Sequence, residues 1–222
     1  MRYEVMHGPA YAVAKVVLMP GETIRAESGA MASMSPTIQI ETQSGGIGKM
    51  FGRMFTGESL FQTKFTAAGS GGEVVLAPKG PGEVIGHELQ GTGLMITSGC
   101  FLACDPGVEL STRAEWRTFF GGEGLFIMHA TGAGTVLLST FGAVRSIDLQ
   151  PGEQYIVDTG HLVAYTAGMP MQIKKSAKGF FATIASGEGT VIHLSGPGRI
   201  LMQTHNASSL ASLLSPYMPS RG

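Results

Sequence analysis

Charge is scarce in this chain of 222 residues. Only 14% of them are Asp, Glu, Lys or Arg, against about 25% in an average globular protein. The formal net charge is −1, so no global basic field draws in nucleic acid, and DNA is not an expected partner. A surface this poor in charge favours association and points to cover by partner subunits. Cysteine is equally sparse, with Cys100 and Cys104 alone. Two thiols do not make a disulfide framework at this length, and the expected setting is reducing and cytoplasmic. No apolar run approaches the ~18 residues of a membrane span. Met1 to Lys15 has no basic stretch followed by an apolar core, so no secretory signal is expected there.

What the chain has in excess is glycine, with 33 residues, about twice average usage. Short strands joined by tight turns suit that composition. The length allows one large all-β domain or two small ones, with a core that needs no staples. A five-residue phrase then organises the reading. Gly57-Glu58-Ser59-Leu60-Phe61, Gly122-Glu123-Gly124-Leu125-Phe126 and Gly187-Glu188-Gly189-Thr190-Val191 are spaced 65 residues apart both times. Equal spacing of this kind marks an internal repeat.

Two more phrases recur in the same order. Ser28-Gly29-Ala30-Met31-Ala32-Ser33-Met34 matches Ser98-Gly99-Cys100-Phe101-Leu102-Ala103-Cys104 and Thr159-Gly160-His161-Leu162-Val163-Ala164-Tyr165. Upstream of each stands an apolar residue, Leu18, Leu89 or Leu149, and two copies share the turn Pro20-Gly21-Glu22 or Pro151-Gly152-Glu153. Both of those copies carry an acid seven residues after the proline, Glu27 or Asp158. Gly132-Ala133-Gly134 corresponds to Gly196-Pro197-Gly198, with a looser first copy at Gly69 to Gly72. These read as hairpin turns needing positive φ. The expected organisation is one all-β domain over 1–222, in three repeats at 8–79, 80–141 and 142–206.

Strands are expected at Tyr11 to Leu18, Thr23 to Ala26 and Thr37 to Thr42, the last with Ile38 and Ile40 alternating with polar neighbours. Matched large residues upstream of the Gly-Glu phrases (Phe51, Trp116, Phe181, then Met54, Phe119, Ile184) fit equivalent core positions. In the first copy, Ile47, Met50, Phe51, Met54 and Phe55 follow helical spacing with Lys49 and Arg53 opposite. This short amphipathic helix is the candidate interaction surface, docked on its own sheet or on a neighbouring subunit rather than on a membrane. A second helix is expected near the end, capped by Ser208 or Ser209, carrying Leu210, Leu213 and Leu214 and stopped by Pro216.

Chemistry-bearing constellations are few. The six histidines show no zinc spacing, although His129 and His193 fall at nearly equivalent strand positions, where the first copy has Lys64 or Phe65. Cys100 and Cys104 lie roughly 13 Å apart along a flat strand at ~3.3 Å per residue and read as buried small apolar residues. Gly45-Gly46-Ile47-Gly48-Lys49 lacks the phosphate-loop spacing, and no Gly-x-Ser-x-Gly elbow is present. Glu58, Glu123 and Glu188 form a repeat-equivalent set of acids. They read as structural acceptors at turns, with a cation site on a symmetry axis as the sharper alternative. No catalytic, cofactor or metal residue is assigned.

Gly45 to Phe61, Pro20 to Met31, Gly196 to Thr204 and the tail Leu210 to Pro219 together resemble the altered-inheritance-of-mitochondria family, formerly a domain of unknown function. The resemblance implies an all-β fold similar to the tryptophan RNA-binding attenuation protein, a TRAP-like β-sandwich or double-stranded β-helix. It also implies homo-oligomers and attaches no enzymatic activity. The expected function is a non-enzymatic scaffold or interaction module assembling with itself, a trimer favoured. The alternatives are a small-ligand or RNA-binding module using clefts between repeats, and a metal-dependent enzyme.

Overall fold

The computed structural model describes residues 1–42, 62–97, 99–112, 127–175 and 190–218. Strands dominate them, and the all-β expectation holds. The cause is visible in strand after strand. In β2 (Val13–Leu18) the alternate residues Ala14, Val16 and Leu18 are buried while Lys15 and Val17 are not. In β6 (Gln62–Ala67) Thr63, Phe65 and Ala67 face inward and Lys64 outward. A period of two is what a pleated strand with one dry face requires.

The strands fall into three stretches. After β1 (Arg2–Met6), the first holds β2, β3 (Thr23–Glu27), β4 (Met31–Met34), β5 (Ile38–Thr42), β6 and β7 (Gly72–Leu76). The second holds β8 (Val84–Gln90), β9 (Leu94–Thr97), β10 (Phe101–Cys104), β11 (Val108–Thr112) and the long β12 (Ile127–Ser139). The third holds β13 (Val144–Leu149), β14 (Gln154–Asp158), β15 (Leu162–Thr166), β16 (Met171–Lys175), β17 (Thr190–Ser195) and β18 (Gly198–Gln203).

Each stretch pairs its strands by the same scheme, antiparallel throughout. β7 lies between β2 and β4, the second half of β12 between β8 and β10, and β18 between β13 and β15. The other layer places β6 between β3 and β5, the first half of β12 between β9 and β11, and β17 between β14 and β16. Even the irregularities coincide, with register shifts at Met31/Ser33, Phe101/Ala103 and Leu162/Ala164.

Neighbouring stretches are spliced edge to edge. β3 of the first pairs β10 of the second, and β9 of the second pairs β15 of the third. The starts of the stretches are also linked, with bridges from Tyr11 to Gly82 and from Gly82 to Gly142. Three hydrophobic clusters fill the layers, and each draws on two stretches. Leu102, Ala103 and Leu137 join Val16, Ile24 and Phe65, while Val163, Ala164 and Leu201 join Leu89, Ile96 and Phe101. Met95 and Ile127 join Leu162, Ile192 and Leu194.

Three sequence expectations need correction. The Gly-x-Gly phrases are not hairpins, because the strands they connect do not pair with each other. They carry the chain from one layer to the other. Gly132 and Gly134 have φ of 92° and 133° inside the continuous β12, which pairs β9 and β11 before them and β8 and β10 after. Glycine at positive φ bends a strand that would otherwise run straight. The helix α1 (Ala207–Leu214) is capped by Asn206, whose side chain accepts from the Ser209 N–H at 2.7 Å, and not by Ser208 or Ser209. A short 3₁₀ turn at Ser215–Tyr217 then contains Pro216. In β5, Ile38 is buried but Ile40 is 43% exposed, because β5 is the end strand of its sheet and its outer half leaves the core.

Candidate functional site

The strands bring polar side chains together at the two splices. Where the first stretch meets the second, Met1, Arg2, Leu18, Glu22, Thr23 and Asp105 line a cleft of about 450 Å³. Its charges are already paired. The Asp105 carboxylate accepts from the Met1 amino group at 2.7 Å and from the Thr135 N–H at 2.8 Å, and Arg2 donates to Glu22 at 2.8 Å. Glu22 also accepts the Met19 N–H at 2.7 Å, the contact that closes the Pro20-Gly21-Glu22 turn. Glu153 repeats it with the Gln150 N–H at the same distance. These hydrogen bonds, the backbone one first for Glu22, hold its carboxyl below the ordinary glutamate value.

Where the second stretch meets the third, a cleft of about 580 Å³ is lined by His87, Glu88, Gln90, Asp148, Thr166 and Arg199, among others. Asp148 lies opposite Arg199 in the β13/β18 register. The guanidinium forks onto the carboxylate, donating from Nε at 2.7 Å and from an NH2 at 3.1 Å. That bidentate contact holds Asp148 low and Arg199 high. Burial lowers His87, and the nearby Arg199 charge adds to the shift. Both volumes fall within the ~300–1,000 Å³ of small-molecule sites. The phrases contribute Leu18, Gly21 and Glu22 to the first cleft and Leu149 to the second, but the charged groups that distinguish the second, His87, Asp148 and Arg199, belong to none of the phrases read as chemistry.

His129 and His193 occupy the same register position. His129 faces Met95 in β9, and His193 faces Ile156 in β14. The register gives the first stretch Lys64, opposite Arg25 in β3, and Lys64 pairs with Glu41 at 3.2 Å. The two histidines lie in separate sheets. Among the described residues no group of three or more His, Cys, Asp or Glu side chains is arranged to hold a metal ion.

Cys100 and Cys104 are both free and buried, in one hydrophobic cluster. Burial pushes their thiols up to about 12 and about 11, with the Glu27 charge contributing at Cys100. They therefore behave as small apolar residues with little thiolate at neutral pH. The acids downstream of the Pro-Gly-Glu turns take different local roles. Glu27 meets Lys79 at 2.5 Å, and Asp158 accepts from the Gly160 N–H at 2.8 Å. The candidate surface Ile47, Met50, Phe51, Met54 and Phe55 lies outside the described residues. So do the acids Glu58, Glu123 and Glu188, and the matched positions 51, 54, 116, 119, 181 and 184.

The described surface carries an apolar cluster of another kind. In α1 and the turn after it, Leu213 is 66% exposed, Tyr217 83% and Met218 67%, with Leu210 and Leu214 also exposed. The helix buries none of its residues. It is tied down through Asn206, whose side-chain amide contacts His161 Nε2 at 3.0 Å, while His161 Nδ1 contacts the Gln203 carbonyl at 2.8 Å.

Residues 3–205 match the profile of the mitochondrial biogenesis AIM24 family. An uncharacterised protein of Streptococcus pyogenes serotype M6 is 30% identical, in an alignment covering 99% of this chain and 92% of that protein. A Streptococcus pyogenes protein solved by X-ray crystallography in a structural genomics programme superposes with a TM-score of 0.86 at 29% identity, covering 98% of this chain and 99% of the other. In the described residues no helix is long and apolar enough to cross a membrane. The chain belongs to the mitochondrial biogenesis AIM24 family.

Proposed function

We propose that this protein is a non-enzymatic scaffold or interaction module that works as a homo-oligomer in the cytoplasm, a trimer or another ring. The observation that carries the reading is α1 with its following turn, which leaves Leu213, Leu214, Tyr217 and Met218 in water. Apolar side chains grouped on an element that buries nothing mark a surface for association. The low charge of the chain supports the same reading. The thrice-used pairing scheme supports treating the chain as one domain of three TRAP-like units. Glu22 and Glu153 are engaged in turns, and Asp105, Asp148, Glu27 and Glu41 in ion pairs, which favours a structural role for these acids. Light scattering on the purified chain is the test. A mass well above the 23.2 kDa of one copy is expected, falling on Leu213→Glu with Leu214→Glu. A monomer at micromolar concentration overturns the reading.

The cleft beside His87 favours a second reading, a module for a small polar ligand. The Asp148–Arg199 fork and Glu88 supply both signs of charge there. A thermal-shift screen of nucleotides and amino acids decides it. A rise in Tm abolished by Arg199→Met supports it, and no shift across the library ends it.

A further inference from the structure

His161 is the odd member of a repeated phrase. Its counterparts Ala30 and Cys100 are small and buried. His161 instead stands in a 3₁₀ turn at Thr159–His161 and is only half-buried. The third stretch is the one followed by α1, and the cap of that helix rests on the His161 ring.

The partners fix every proton in this contact. Asn206 Oδ1 accepts from the Ser209 N–H at 2.7 Å and from the Ser208 hydroxyl at 2.8 Å, so the oxygen of the carboxamide faces the helix. Its NH2 group therefore faces His161 Nε2, at 3.0 Å. On the other side of the ring, Nδ1 lies 2.8 Å from the Gln203 carbonyl, which only accepts. Nδ1 must then carry the hydrogen and Nε2 must be the acceptor. Gln203 is itself braced, its side-chain amide donating to the Gly160 carbonyl at 2.9 Å while its oxygen accepts the Phe141 N–H at 2.8 Å. Every hydrogen bond here is satisfied by the neutral ring alone.

A second proton on the ring reverses one half of the contact. Nε2 becomes a donor and meets the NH2 donor of Asn206. The carboxamide restores that bond only by turning over, which presents its NH2 to the Ser209 N–H and gives up the cap. Either the tie to the sheets or the cap is lost. α1 buries none of its own residues to hold it otherwise.

The charged and titratable side chains on the elements around His161 are otherwise placed. Asp158, just before the turn, accepts the Gly160 N–H at 2.8 Å. His205, between β18 and α1, contacts Thr204 at 3.0 Å and lies edge-on to Phe141. On β18 Arg199 is forked onto Asp148, and on β17 His193 lies opposite Ile156. Arg145 of β13 lies opposite Met202, Tyr165 of β15 is buried, and α1 carries no charge.

We propose that His161 is the positioning residue of α1, a pH-sensitive latch that holds the helix through Asn206 when neutral and releases it when protonated. Histidine is the side chain that changes charge between about pH 8 and about pH 5. The element it governs carries Leu213, Leu214, Tyr217 and Met218. The functional consequence, weaker association in acid, rests on the homo-oligomer reading above, whereas the latch itself does not.

Hydrogen–deuterium exchange over Ala207–Leu214 in the full chain tests the latch, read as protection relative to the intrinsic rate at each pH. Between about pH 7.5 and about pH 5 the wild-type protection should fall about fivefold, the scale of a lost N-cap. His161→Gln does not titrate and should give level protection. Asn206→Asp keeps one oxygen on the Ser209 N–H and offers the other to the protonated ring, so its protection should stay level or rise in acid. A wild-type helix equally protected at both pH values overturns the latch. So does a fall that either variant shows in full. Light scattering at the same two pH values reads assembly separately. A chain monomeric at both that still loses protection in acid supports the latch and overturns the homo-oligomer reading. An oligomer whose mass resists acid while α1 loses protection overturns the control of association by His161.

Discussion

β10 and β4 carry the same sequence phrase at the same place in the same pairing scheme, yet one is dry and the other wet. Leu102 in β10 is fully buried between its own stretch and the one before, while its counterpart Ala32 in β4 is exposed. The phrase alone therefore does not decide burial. What decides it is whether β3 or β9 of a preceding stretch lies alongside. The residues have followed that difference in kind. Positions 101 to 104 read Phe-Leu-Ala-Cys and positions 162 to 165 Leu-Val-Ala-Tyr, while positions 31 to 34 read Met-Ala-Ser-Met.

The largest expected effect sharpens that contrast. Leu102→Ala removes a buried side chain from a packed junction and should cost about 2–5 kcal/mol. Ala32→Ser, at the matching position of the open junction, should stay within about 0.5 kcal/mol for the dissociated chain. Guanidinium unfolding of the two variants measures both. Equal losses would mean that β4 is as closed as β10 and would break the comparison.

A second contrast lies in the glycines that carry the chain between layers. A Cβ on Gly132 would sit 2.3 Å from the Gly107 carbonyl oxygen, at φ 92°, whereas one on Gly69, at φ 54°, would meet nothing within 4 Å. Gly69→Ala therefore costs only the left-handed backbone strain, about 1–2 kcal/mol. Gly132→Ala adds a backbone clash and should exceed it by about 1 kcal/mol or more. Unfolding midpoints of the two variants settle the order. A milder loss at Gly132 would show that β12 bends less sharply than its φ values require.

The same contrasts show what was legible from residues. The phrases marked places that matter structurally. Leu18, Leu89 and Leu149 are all buried, and the Pro-Gly-Glu turns close through the same glutamate contact at Met19 and at Gln150. The crossings at Gly132 and Gly134 were misread as hairpins because glycine at positive φ serves both, and only strand pairing tells a turn from a change of layer. Asn206 escaped notice as the helix cap because two serines followed it, and the carboxamide accepted the N–H first. The clefts were illegible for a different reason. His87, Asp148 and Arg199 come together through the splice of β9 with β15, a contact between stretches that no local pattern encodes.

The smallest expected effect compares the two filled junctions with each other. Their clefts are alike in size and differ in one titratable group. The first has no histidine among its lining residues, and the second has His87 facing Arg199 and Glu88, with Asp148 held by Arg199. Burial first, and the Arg199 charge second, lower the His87 pKa below its ordinary value of 6.5. As pH falls through that value, the unfolded chain binds a proton at His87 that the folded chain still refuses. The unfolded state then holds more protons, so stability drops with falling pH in the window below 6.5 and is unaffected above it. His87→Gln removes this contribution and leaves the other five histidines to titrate equally in both proteins. Urea midpoints taken from roughly pH 7.5 to about pH 5.5 should therefore fall less in the variant than in the wild type. The difference is modest because the ring is only half-buried. Parallel pH profiles would mean that water reaches His87 freely and that the second junction is as polar as the first.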